Sequence, residues 1–161
     1  LDEGMVLDRT KGEFRLFGRR HAAVDAQSLC DHLDSLVGHV VGEVIMNNLE
    51  TRLGREDGVR MREANPNASA GELVKMLEET DLISGMGITR TVVPEDPKAP
   101  IRIEVWNPVV RGEKGAAKSF LFSWWSGVLT SILRRELELK TVQYDEKANM
   151  MKCEIVPRLS V

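Results

Sequence analysis

The stretch AAKSFLFSWWSGVLTSILR, Ala116–Arg134, followed by LELKTVQYDEKANMMKCEIV, Leu137–Val156, decides the fold. In the first segment Leu121, Trp124, Trp125, Val128, Leu129 and Ile132 recur at helical spacing, which predicts a helix with a broad apolar face. The second segment reads as two strands, 137–144 and 151–156, around a turn at 145–149. Met151, Cys153 and Ile155 alternate with Lys152 and Glu154, the pattern of a half-buried edge or outer strand. A helix that leads into a hairpin points to an α+β fold rather than to βαβ repeats.

The elements upstream fit the same scheme. In 101–107, Ile101, Ile103 and Val105 share one strand face, while Arg102, Glu104 and Trp106 share the other. A proline-stiffened connection, Pro94 to Pro100, joins that strand to one at 88–93. Ser69 and Glu72 have capping-box spacing, and Leu73, Met76, Leu77 and Thr80 follow on one face, which predicts a helix over 69–81. Asn65-Pro66-Asn67 breaks the chain before it. Val37, Val40, Val41, Val44, Ile45, Leu49 and Leu53 form the wide apolar stripe of a long helix that ends within 55–63. Asp25 caps a preceding helix with Leu29, Leu33 and Leu36 on one face, and two short strands, 13–17 and 20–24, flank Gly18. The expected architecture is a single α+β domain spanning 1–161, an antiparallel sheet with four or so helices gathered on one face. Residues 1–12 are read as a flexible N-terminal segment.

Length and composition suit one domain with a real core: 161 residues, 42% hydrophobic and 29% charged. The net charge is -3 and no basic run exceeds Arg19-Arg20-His21, so the footprint of a nucleic-acid binder is missing. No apolar stretch reaches the roughly 18 residues of a membrane span. Asp2, Glu3 and Asp8 make the first ten residues unlike a signal peptide. Cys30 and Cys153 read as buried free thiols, which fits a reducing cytoplasm.

Catalytic motifs are near misses. Gly112-Glu-Lys-Gly-Ala-Ala117-Lys118-Ser119 resembles a phosphate-binding loop, but Ala117 replaces the glycine that lets the amides curl toward phosphate. His32, His39 and Glu43 have helical ligand spacing without a flanking Cys or Asp cluster, so no metal site is expected. Cys30-Asp31-His32 are adjacent on a helix and do not face one another. Gly85-Met-Gly87 lacks the third glycine of a dinucleotide fingerprint. The chain is accordingly expected not to be an enzyme and to carry no cofactor.

Ser123-Trp124-Trp125-Ser126-Gly127, then Leu129, Ile132-Leu133-Arg134-Arg135 and the terminal hairpin closing on Lys152-Cys153-Glu154-Ile155-Val156, resemble the end of the 4-vinyl-reductase-like (hydrocarbon-binding) domain family. Gly18-Arg19-Arg20 with Val24-Asp25, and Val105-Trp106-Asn107-Pro108, are similar to its earlier elements. The resemblance implies the ligand-binding fold of NO-signalling and Golgi-transport proteins, a cavity between sheet and helices, and homodimers. It implies an apolar or aromatic small molecule as partner, lined here by Trp106, Phe122, Val128 and Leu139; Trp125, one turn from Phe122, is expected to join them. Two alternatives stand beside it: a scaffold with a filled core, in which Trp106, on the strand face of Arg102 and Glu104, lies in the interface, and, implied by the resemblance, an accessory factor in tetrapyrrole vinyl reduction. In sensor members a zinc ion sits at places that fall here on Lys118, Thr141, Tyr144 and Cys153. Only the last is a zinc ligand type, so no zinc is expected.

Overall fold

The computed structural model describes residues 5–11, 13–16, 19–21 and 24–158. In chain order the elements are β1 (Met5–Asp8), β2 (Glu13–Leu16), β3 (Arg19–His21), α1 (Ala26–Val37), α2 (His39–Ala64), α3 (Ala70–Ser84), β4 (Ile88–Val92), β5 (Ile101–Trp106), α4 (Gly115–Leu133), β6 (Leu137–Asp145) and β7 (Met150–Pro157). Phe17 and Gly18, expected at a strand end and turn, lie outside the described residues. The first three strands form a small antiparallel meander, so a strand stands within the segment read as flexible.

The main sheet is antiparallel, in the order β4-β5-β7-β6. β7 is not the edge or outer strand that its alternation suggested; its hairpin partner β6 ends the sheet. β7 lies between β5 and β6, pairing Ile103 with Cys153 on one side and Val142 with Cys153 on the other. Alternation reports which face is wet, and β7 is wet on one face while hydrogen-bonded along both edges. Ile101, Ile103, Val105, Met151, Cys153 and Ile155 form the buried face; Arg102, Glu104, Lys152 and Glu154 form the other.

Helix α4 lies in the middle of the molecule. Fifteen of its nineteen residues are buried, so it is covered all round rather than along one face. It packs on the sheet on one side and on α2 on the other. Ser126 Oγ donates to the carbonyl of Leu137 and Thr130 Oγ1 accepts from the amide of Leu137, which ties the helix to the start of β6.

The crossing of α2 over α4 inverts the expected stripe. Gly54, Gly58 and Met61 are buried, whereas Val40, Val44 and Leu49 are exposed, Val40 by 78%. The reason is the tightness of the crossing. A Cβ on Gly54 would overlap the carbonyl oxygen of Trp124, and one on Gly127 that of Thr51, so glycine alone lets the two backbones meet. Polar pairs complete the seam: Lys118 Nζ to Glu43 at 2.7 Å, Ser123 Oγ to Asn47 at 2.8 Å and Ser131 Oγ to the carbonyl of Arg55 at 2.9 Å. The apolar row of α2 is therefore left facing outward.

The helix ends follow their sequence signals. Asp25 accepts the amide of Ser28, and Ser69 with Glu72 closes a full capping box. Both carboxylates are held below the usual range by those hydrogen bonds.

Candidate functional site

Adjacent residues of a helix point about 100° apart, so the consecutive tryptophans of α4 serve different sides. Trp124 Nε1 donates to Asp57 on α2 at 3.0 Å. Trp125 Nε1 donates to Asp81 at 2.8 Å, at the far end of α3. The two indoles meet edge to face, with centroids 6.2 Å apart.

Asp81 is the unusual group. It is 2% exposed, and a buried carboxylate is costly unless hydrogen-bonded. Thr89 Oγ1 on β4 donates to it at 2.6 Å. Both this bond and that of Trp125 fall on Oδ2, and among the described residues no donor is seen on Oδ1. Burial pushes its carboxyl up to about 6, against the pull of the two hydrogen bonds. The buried core also holds Phe122, one turn from Trp125 on α4, and Leu77, one turn before Asp81 on α3. The arrangement offers one polar anchor in an apolar shell, which is the composition of small-molecule sites.

The five residues expected to line a pocket divide. Phe122, Trp125 and Val128 are each 0% exposed on α4. Phe122 and Trp125 share a face, while the backbone of Val128 lies against Gly58 and belongs to the α2 crossing. Leu139 is half-buried on β6 and packs against the core. Trp106 stands on the opposite face of the sheet, beside its cross-strand partners Ile88 and Met150. Strand alternation had already grouped it with Arg102 and Glu104. Asp81 and Thr89 were not read as site residues. The signal for Asp81 was its place four residues after Leu77 on the buried face of α3, where a carboxylate needs partners.

The near-miss motifs have other duties. Asp34 Oδ1 accepts the amide of Ala116 at 2.9 Å, so a carboxylate occupies the start of α4, where a phosphate would have to sit. Lys118 is committed to Glu43 and His39 Nδ1 to Asp34, at 2.8 Å. The residues at the zinc positions do not fit that ion. Lys118 is paired, Thr141 is exposed, and burial raises the thiol of Cys153 well above its ordinary value.

Two surface hollows lie elsewhere. One of about 380 Å³ is lined by Arg62, Glu63 and Arg134 among others, and one of about 350 Å³ lies over Arg102, Glu104 and Lys152 on the charged sheet face. Among the described residues no helix is long and apolar enough to cross a membrane.

No protein-family model matches the chain, and no curated protein does. Solved structures do. The phenol-responsive sensory domain of the transcription activator PoxR, solved with phenol, matches with a TM-score of 0.68 at 13% identity, over 96% of this chain and 85% of that one. A vinyl-4-reductase family protein from Methanocaldococcus jannaschii matches with a TM-score of 0.54 at 12% identity, over 86% of this chain and 85% of that one. The chain thus has the α+β fold of these proteins, and its resemblance to 4-vinyl-reductase-like domains holds at the level of fold.

Proposed function

We propose that the chain is a non-catalytic, sensor-like domain that binds an apolar or aromatic small molecule beneath α4 and works as a homodimer in a reducing cytoplasm. The observation that carries this reading is Asp81: a carboxylate buried in the core, with both its donors on Oδ2, beside the Phe122–Trp125 face of α4. Both bonds fall on Oδ2, which leaves Oδ1 able to meet a ligand hydroxyl or amide. Fold likeness to a sensory domain solved with phenol supports the same reading without establishing it.

A thermal-shift screen of aromatic and lipid-like compounds tests it. A ligand at 100 times its dissociation constant stabilises the native state by about 2.7 kcal/mol. Silence across such a library removes the reading.

One observation favours a second reading. Phe122, Trp125 and Val128 are completely buried, so a ligand has to displace packed side chains to enter. With the core permanently filled, the domain is a protein–protein scaffold. In that case the screen stays silent while the oligomer persists.

A further inference from the structure

We propose that the hollow at the ends of α2 and α4, beside the start of α3, binds a small carboxylate that carries an apolar body. The site is separate from the one beneath α4 and does not depend on it.

The path of the chain makes the hollow. Glu43 meets Lys118, Asn47 meets Ser123 and Arg62 meets Ser131, so α2 and α4 run side by side in the same direction and finish at the same end of the molecule. The break at 65–67 then leads into α3. The space left at this corner is about 380 Å³, within the range of small-molecule sites. Leu73, which is buried, Val59 and Pro66 give it apolar walls, and Arg62 and Arg134 bring charge to it.

The two arginines are not alike. Helix C-termini attract cations because their last carbonyls lack partners. Arg62 answers that need: its Nη1 donates to the carbonyl of Ser131 at 3.2 Å, which also fixes the guanidinium across the seam. The rest of its fork has no partner among the described residues and stays open to a planar acceptor. Arg134 meets no carbonyl and no carboxylate among the described residues. It stands at the C-cap of α4 with a φ of 52°, a left-handed conformation that glycine enters freely and a residue with a Cβ does not. That backbone costs more than an exposed cation at a helix end returns. Strain of this kind, in a residue that lines a hollow, points to a use for the side chain.

Charge narrows the ligand. Glu63 also lines the hollow, and among the described residues it bridges neither arginine. Two guanidiniums and one carboxylate leave a single net positive charge, which matches a monoanion better than a phosphate with its second charge. A guanidinium fork meets a carboxylate in plane through two parallel hydrogen bonds. The apolar walls suit an apolar remainder of the molecule.

Isothermal titration calorimetry with sodium 3-phenylpropanoate at low ionic strength provides the test. The wild type is expected to bind it, and to bind its neutral amide and inorganic phosphate at least tenfold more weakly. Arg134→Gly is expected to lose about ten- to a hundredfold in affinity, the worth of a hydrogen bond to a charged group. The same variant is expected to melt at a higher temperature than the wild type, since glycine relieves the left-handed backbone. Glu63→Gln is expected to bind more tightly. Should Arg134→Gly fail to fold, Arg134→Asn, which tolerates the same backbone, takes its place. No binding by the wild type at millimolar concentration overturns the proposal, as does equal binding of the amide or tighter binding of phosphate. Affinity unchanged in Arg134→Gly places the carboxylate elsewhere, the space beneath α4 included, and overturns it. A lower melting temperature in Arg134→Gly makes Arg134 a structural cap and overturns it as well.

Discussion

Asp34 caps a helix to which it does not belong: its Oδ1 accepts the amide of Ala116, 82 positions further along the chain. Lys114, at the N-cap position of α4, provides no side-chain bond, so the first turn of the most buried helix depends on a carboxylate from the last turn of α1. Gly42 and Gly115 leave room for it, since a Cβ at either would overlap that carboxylate. Replacing a capping residue with alanine costs about 0.5–2 kcal/mol. Asp34→Ala is expected to fall in the upper half of that range, because His39 loses its partner as well. Urea unfolding measures it, and an unchanged midpoint contradicts the assignment.

Two glycines in helices are expected to respond in opposite directions to alanine. At Gly54 the new methyl meets the Trp124 carbonyl, which is backbone and cannot swing aside, so Gly54→Ala is expected to destabilise by about 1–3 kcal/mol. At Gly71, in the first turn of α3, no atom stands within 4 Å of the added Cβ, so Gly71→Ala is expected to stabilise by about 0.5–1 kcal/mol. Thermal midpoints of the two variants check both signs.

Stability is expected to fall as pH rises from about 4 to about 7. Burial lifts the Asp81 carboxyl from 3.8 to about 6 and, helped by the charge of Asp57, the Glu50 carboxyl from 4.5 to about 7. Between the unfolded and folded values the native chain holds protons that the unfolded chain has released. This contribution is therefore complete below the unfolded values and lost once pH passes the folded ones. At 1.36 kcal/mol per pKa unit the Asp81 shift corresponds to on the order of 3 kcal/mol. Asp81→Asn, whose carbonyl still accepts from Thr89 and Trp125, is expected to lose less stability than the wild type between pH 5 and pH 8. Equal losses contradict a buried, raised Asp81.

Much of the fold was legible because local signals and tertiary roles agree in it. The Ser69–Glu72 capping box, the Asp25 cap and the alternation of Ile101, Ile103 and Val105 are each decided within a few residues, and each stands where the sequence placed it. The facing of α2 was not legible in the same way. Its apolar row marks a face that packs, but whether the partner is the chain's own core depends on glycines 54, 58 and 127 meeting across a long sequence separation. The central position of β7 was hidden for a related reason, since period-two alternation is blind to what lies beside a strand. Phe122 and Trp125 were found as an aromatic pair on α4. Their polar partner Asp81 comes from α3, and only the fold brings the three together.

Trp125→Phe keeps most of the ring and removes the indole donor. Asp81 is then left with Thr89 alone, at an expected cost of about 1–3 kcal/mol for the under-satisfied acid. The cost should shrink at pH 5, where the acid is largely neutral and needs less support. A cost that does not vary with pH places the effect of Trp125 in packing rather than in its bond to Asp81.

The most direct test of a ligand site beneath α4 is the indole region of a proton–nitrogen correlation spectrum, titrated with the best compounds from the thermal screen. Three tryptophans give three indole signals, assignable through single phenylalanine variants. The account predicts that the Trp125 signal moves with saturable dependence on ligand, and that the signal of Trp106, across the sheet, stays in place. A stabilising ligand that leaves Trp125 unmoved, or that shifts Trp106 instead, contradicts it.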